Sequence, residues 1–236
     1  MSALAEPTLT ELERECGIPL ASYRAAHVRR CIERALVRTG SGCIADLTDR
    51  IREDPRVRSA FRGSVLVPVT GMFRDREEFD LLERTVLPRL LARPGQIRIW
   101  SAGCAHGDEL HSVAALLDRA HALGRAQLLG TDVRTEALEA AAEQAGELSV
   151  DLRTVVRYAQ HDLVLDPPPA TRFHLILCRN VAIYLGRDAQ RELRRKLVSG
   201  LRPGGYLMLG RSETLIRPGQ YGLERISRHT FRKGRG

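Results

Sequence analysis

Aromatic residues are scarce in this 236-residue chain: Phe, Trp and Tyr together make up 5%. That leaves little to stack against bases, so the net charge of +8 is not taken as a nucleic-acid surface. Lysine is nearly absent. Lys196 and Lys233 are the only two, and the basic charge is otherwise arginine. Richness in Arg and Ala together points to compositional bias in the coding DNA as much as to a binding face. The five cysteines (Cys16, Cys31, Cys43, Cys104, Cys178) are odd in number and contain no CxxC pair. This argues against a zinc site and a disulfide framework, and for reduced thiols in a cytoplasm. No apolar run approaches the roughly 18 residues that span a bilayer, and no stretch resembles a signal peptide, so a cytoplasmic protein without membrane insertion is expected. His106 and His111 are five residues apart, off one helical face, and no metal is expected there. No Ser-His-Asp set, internal repeat or low-complexity tract is present.

What is present is concentrated in Ile97–Ser112, IRIWSAGCAHGDELHS. Ile97, Ile99 and Ala102 alternate as in a short buried strand. Gly103 and Gly107 form a turn, and Asp108 and Glu109 open an apolar-periodic helix containing Val113, Leu116 and Leu117. Strand, glycine turn and helix is the arrangement that brings a nucleoside cofactor close to backbone, because glycine turns sharply and presents no Cβ. The next apolar segment, Ala126–Asp132 (AQLLGTD), ends in an acid. An acid at the tip of the second strand is placed to accept hydrogen bonds from both ribose hydroxyls.

The first seventy or so residues read as helical. Thr8 with Glu11 reads as a capping box, and Ser22–Arg38 as a helix whose His27, Arg29, Arg30, Arg34 and Arg38 form a dense basic surface. A third helix is expected over Ile44–Arg52, and Asp54-Pro55 starts a fourth. Asp75, with Glu78 three residues on, caps a helix through about Leu91, which Arg93-Pro94-Gly95 ends. From Gln96 strands and helices alternate, with strands at 97–101, 127–132, 154–159, 173–178 and 204–209. A terminal hairpin is expected from Tyr221–Ile226 and His229–Arg232. The division is a helical domain over 1–72, a linking helix over 73–95 and an α/β domain over 96–236, its sheet mostly parallel with an antiparallel ending.

Four segments in order, TGMFRD (Thr70–Asp75), IWSAGCAHGDELHS (Ile99–Ser112), LCRNVAIYL (Leu177–Leu185) and LRPGGYLMLGRSETL (Leu201–Leu215), resemble the CheR-type chemotaxis receptor methyltransferases. The resemblance implies a Rossmann-like class I methyltransferase sheet behind a small all-helical domain. It implies the cofactor S-adenosylmethionine (SAM), the product S-adenosylhomocysteine (SAH) and no metal. It places the cofactor on Thr70, Arg74, Gly103, Glu109, Asp132, Asp162, Leu163, Arg179 and Asn180, with Arg74 and Tyr184 facing the transferred methyl group and the incoming carboxylate. The implied reaction is methyl transfer to a glutamate side chain of a chemoreceptor-type protein, an acidic helical partner that would meet the basic helix.

The sequence departs from the family pattern. Pro68 stands where the family has Asn, Met72 replaces a Phe, Asp108 a Glu, Leu110-His111 a Pro-Tyr, and Asp162 an Asn. The family's small β-subdomain, which in some members binds a receptor tether, has no room between Gly146 and Arg153. Two other readings therefore stand beside the first: a small-molecule carboxylate acceptor, and a non-catalytic SAM-binding module.

Overall fold

The structure is a computed structural model that describes residues 6–66, 71–148 and 150–234. It divides into two compact units, Met1–Pro68 with Tyr184–Gln190, and Val69–Ile183 with Arg191–Gly236. The strand order and the helices give the expected α/β class with an N-terminal helical region.

The first unit packs α1 (Glu6–Cys16), α2 (Ala25–Thr39), α3 (Ile44–Glu53) and α4 (Pro55–Val65) around Leu12, Ile32, Leu47, Ile51 and Phe61. Asp54 caps α4 as expected, its carboxylate accepting from the Arg56 N–H at 2.7 Å, with Pro55 in the first turn. Two expectations are corrected. Helix α1 begins at Glu6, so Thr8 lies inside it rather than at its cap. In α2, Arg29, Arg30, Arg34 and Arg38 are exposed, but His27 is buried. Its position four and five residues before Cys31 and Ile32, and next to Val28, puts it on the apolar stripe, and its Nε2 lies 2.9 Å from the Val65 carbonyl.

In the second unit, α5 (Arg76–Leu81) and α6 (Leu87–Leu91) are joined by a π turn over Leu82–Val86. Pro88 explains the turn: without an N–H it cannot bond the Arg84 carbonyl, and its ring crowds that group. There follow β1 (Ile97–Ala102), α7 (Asp108–Arg119), β2 (Ala126–Asp132), α8 (Thr135–Leu148), α9 (Val150–Val155), β3 (Val156–Gln160), β4 (Phe173–Cys178), α10 (Arg187–Gly200), β5 (Leu201–Leu209), β6 (Leu223–Arg225) and β7 (Thr230–Lys233). Thr154 and Val155, expected in a strand, belong to α9. The sheet runs β3-β2-β1-β4-β5-β7-β6, with β7 antiparallel to both neighbours and the rest parallel. Ile97, Ile99, Leu128, Leu175 and Leu177 bury one sheet face against Leu110, Val113 and Leu117 of α7. Chain direction across the sheet reverses between β1 and β4, and the crevice above that point is where ligands bind in such sheets. Among the described residues no strand lies between α8 and β3, so nothing there forms a second sheet.

Candidate active site

At the carboxyl end of β1 the chain turns through Gly103 (φ 78°) and Gly107 (φ 84°). Both need glycine for packing as well as for φ. A Cβ on Gly103 would come 2.5 Å from Val181 Cγ2, and one on Gly107 2.7 Å from the Tyr158 hydroxyl. The Gly103 and Cys104 N–H groups both donate to the Thr131 carbonyl at 2.8 Å, tying the turn to the end of β2. Asp132, 7% exposed, closes this corner. One carboxylate oxygen accepts from the Ala105 N–H at 2.9 Å, the other from the Arg134 amide and Nε, each at 3.1 Å. The acid at the strand tip is therefore oriented before any ligand arrives.

Glu109 lies in the first turn of α7, and its Oε1 accepts from Ser101 Oγ at 2.8 Å. Arg179, at the end of β4, donates to Glu109 Oε2 at 3.3 Å, to Asp75 Oδ2 at 2.8 Å and to the Arg74 carbonyl at 2.6 Å. Its guanidinium also sits 5.1 Å over the Phe79 ring. Burial raises the Glu109 pKa, which Arg179 and Ser101 hold down in part. Contrary to the capping pattern, Asp75 makes no side-chain cap to α5; its carboxylate is taken up by Arg179 instead.

On the other side of β4, Glu213 is 6% exposed. Its carboxylate accepts from the N–H groups of Asn180 (2.8 Å), Ala182 (2.7 Å) and Gly210 (2.9 Å). This fixes the loop after β4. Among the described residues, four of the six non-glycine positions with positive φ fall in this region: Phe73 (51°), Asp75 (58°), Ala105 (49°) and Asn180 (61°). Such a conformation costs about 1–3 kcal/mol per residue and persists where surroundings over-determine it. Here the Phe73 N–H is held by Ser112 Oγ at 2.9 Å, and Asp75 by Arg179. The strained positions flank Arg74 on both sides.

The structure thus brings Arg74, Gly103, Glu109, Asp132, Arg179 and Asn180 to the carboxyl ends of β1, β2 and β4. Leu163 is buried nearby, 3.6 Å from a Cβ built on Gly103. Asp162 turns its Oδ1 to the Val164 and Leu165 N–H groups at 2.7 and 3.1 Å, shaping its own loop. Tyr184 groups with the first unit, its ring 5.0 Å from that of His27. Thr70 lies outside the described residues. Sequence reasoning did not single out Glu213 or Ser101 and read Asp75 only as a helix cap, although all three stand in the segments that carried the resemblance. Cys104 and Cys178 are buried, with thiol pKa values pushed up first by burial, and are packing residues rather than nucleophiles. Among the described residues no group of His, Cys, Asp and Glu could hold a metal ion.

In a chain of net charge +8, four carboxylates (Asp75, Glu109, Asp132, Glu213) surround this end of the sheet. Pre-oriented acids in the first turn of α7 and at the tip of β2 fit a cationic nucleoside with a free ribose diol. The CheR methyltransferase SAM-binding domain matches residues 68–149 and 142–229. The chain belongs to the CheR methyltransferase family. It is a SAM-dependent methyltransferase. The two matched pieces of the CheR domain overlap over 142–149, and among the described residues only α9 lies between α8 and β3. A chemotaxis protein methyltransferase of Listeria monocytogenes is 29% identical over 247 positions, covering 94% of each chain. Since 247 exceeds the 236 residues of this chain, the Listeria protein carries residues that this one lacks. Chemotaxis protein methyltransferase 1 of Pseudomonas aeruginosa is 28% identical, over 86% of this chain and 87% of that protein. Among solved structures, the N-methyltransferase NodS of Bradyrhizobium japonicum is 23% identical over 57% of this chain and 60% of that one, at a TM-score of 0.42.

Proposed function

We propose that this CheR-family enzyme methylates a glutamate side chain on an acidic, helical, chemoreceptor-type protein. The observation that carries the reading is the Arg179 clamp, which locks the strained Phe73–Asp75 segment, and with it Arg74, beside Glu109. SAM supplies an electrophilic methyl group on a sulfonium. Asp132, held by the Ala105 N–H, orients the ribose, and Glu109 offsets the positive charge of the methionine part. Arg179 and Asn180 line the same corner, and Arg74 aligns the acceptor carboxylate. A glutamate carboxylate has a reference pKa near 4.3 and is already ionised at neutral pH, so no general base is required. Desolvating it and holding it in line with the methyl group supplies most of the acceleration. Exposed Arg29, Arg30 and Arg34 of α2 give the protein acceptor a basic face to meet.

A second reading, a small-molecule carboxylate acceptor, is favoured by the direct run from α8 through α9 into β3. One experiment separates the two. Labelled methyl from SAM is offered to an acidic helical receptor fragment and to a panel of small carboxylic acids, followed by base, which releases methanol from a methyl ester. Base-labile label on the protein, lost with rising salt and in R30E/R34E while SAH affinity is kept, supports the first reading. Label only on small acids supports the second.

A further inference from the structure

We propose that the methyltransferase unit carries a second ligand site, for a phosphate-bearing small molecule, at the end of the sheet opposite the cofactor crevice. A cavity of about 390 Å³ opens there, lined by Arg89, Arg93, Arg202, Arg232, His174 and Tyr206, with no carboxylate in its wall. His174 and Arg202 stand at the amino-terminal ends of β4 and β5, whereas Arg179 and Asn180 follow the carboxyl end of β4.

Four guanidinium groups on one small cavity repel one another, whereas Arg134 is neutralised locally by Asp132 and Arg52 by Asp49. Among the described residues none of these four has a carboxylate partner. Two of them are held in place. Arg232 lies 5.9 Å over the Tyr206 ring, and its buried Nε has no hydrogen-bond partner. Arg202 Nη1 lies 2.7 Å from His174 Nε2.

The contact between Arg202 and His174 identifies the missing chemistry. The Arg98 N–H donates to His174 Nδ1 at 3.1 Å. A neutral imidazole has one accepting nitrogen, so the proton then sits on Nε2, and Nε2–H faces the Arg202 N–H as donor against donor. Burial, then Arg202, Arg98 and Arg93, push the His174 pKa down to about 4, so the ring is neutral at pH 7. An anionic oxygen beside this pair accepts from both. A single carboxylate would leave most of the positive charge uncompensated. A phosphate or diphosphate offers several oxygens to planar guanidinium forks and matches the charge. The volume falls within the range of small-molecule sites and admits a nucleoside phosphate.

The test is calorimetric titration of the full chain with inorganic pyrophosphate and, separately, with ADP. Saturating SAH is present so that the adenosine pocket is already filled. Saturable binding is expected, weakened by at least about tenfold in R89Q/R93Q, two exposed positions whose change leaves the core intact. The thermal stabilisation of that variant by SAH should equal that of the parent, which reports an intact fold. ADP binding tighter than pyrophosphate assigns a nucleotide; pyrophosphate binding equally or more tightly assigns the phosphate group alone. No saturable binding of either probe, or equal affinity in R89Q/R93Q, overturns the proposal.

Discussion

Replacing Glu213 with Gln isolates one bond in the loop that carries Asn180. In the parent, Oε2 accepts from the Asn180 and Gly210 N–H groups, and Oε1 from the Ala182 N–H. A glutamine can turn its carbonyl oxygen toward Asn180 and Gly210 and keep both bonds. Its NH2 group then faces the Ala182 N–H, donor against donor, at a site only 6% exposed. One buried amide loses its acceptor, and two charge-assisted bonds become neutral. The expected loss is about 1–3 kcal/mol of folding free energy, a sizeable part of the roughly 5–15 kcal/mol that domains possess. Urea denaturation with and without SAH measures it. The midpoint should fall, and SAH affinity should fall with it, because the weakened bonds fix the loop bearing Asn180. E213A strands all three amides and should cost more. If E213Q unfolds at the parental midpoint and binds SAH as tightly, the carboxylate is not what orders this loop.

Three further outcomes are expected. D132A removes the acid at the tip of β2 and should weaken SAH binding by about 1–3 kcal/mol in calorimetry; unchanged affinity would place the ribose elsewhere. R74K keeps the charge but loses the planar fork, so turnover should fall while SAH affinity holds; parental turnover would return Arg74 to a structural role. For His174, with a pKa of about 4 folded against 6.5 unfolded, the unfolded state binds the extra proton between those values. Stability should therefore fall as pH drops from 6.5 to 4, by about 2 kcal/mol after allowance for solvent screening, and H174N should flatten that part of the pH–stability curve.

The sheet was legible because its signals are local. Alternation in β1 and β2, the turn at Gly103 and Gly107, and the acid at Asp132 can each be read within a few residues. The site's connections were less legible because they are distant. Arg179 and Asp75 are 104 residues apart, so a pattern that reads Asp75 as a helix cap sees only its neighbour Glu78. Glu213 is 33 residues from the amide of Asn180, and nothing in its local sequence separates it from a surface acid. His27 was placed on the basic face because its neighbours are arginines, whereas the stripe through Val28, Cys31 and Ile32 draws it inward. The start of α1 at Glu6 and the π turn before Pro88 are the errors of a cap or two that short-range rules leave at element ends.

The left-handed residues Phe73, Asp75, Ala105 and Asn180 also bear on how such an enzyme can change over evolutionary time. A backbone held away from its resting shape is an unused source of thermal robustness. Asn180→Gly, for instance, would relax the main chain but remove a side chain proposed to line the cofactor corner. Lineages adapting to heat should thus gain little from these positions and draw their stabilising changes from the helices and outer strands. The same constraint makes the Phe73–Asp75 segment a poor place for drift and a good marker of which relatives still perform the reaction.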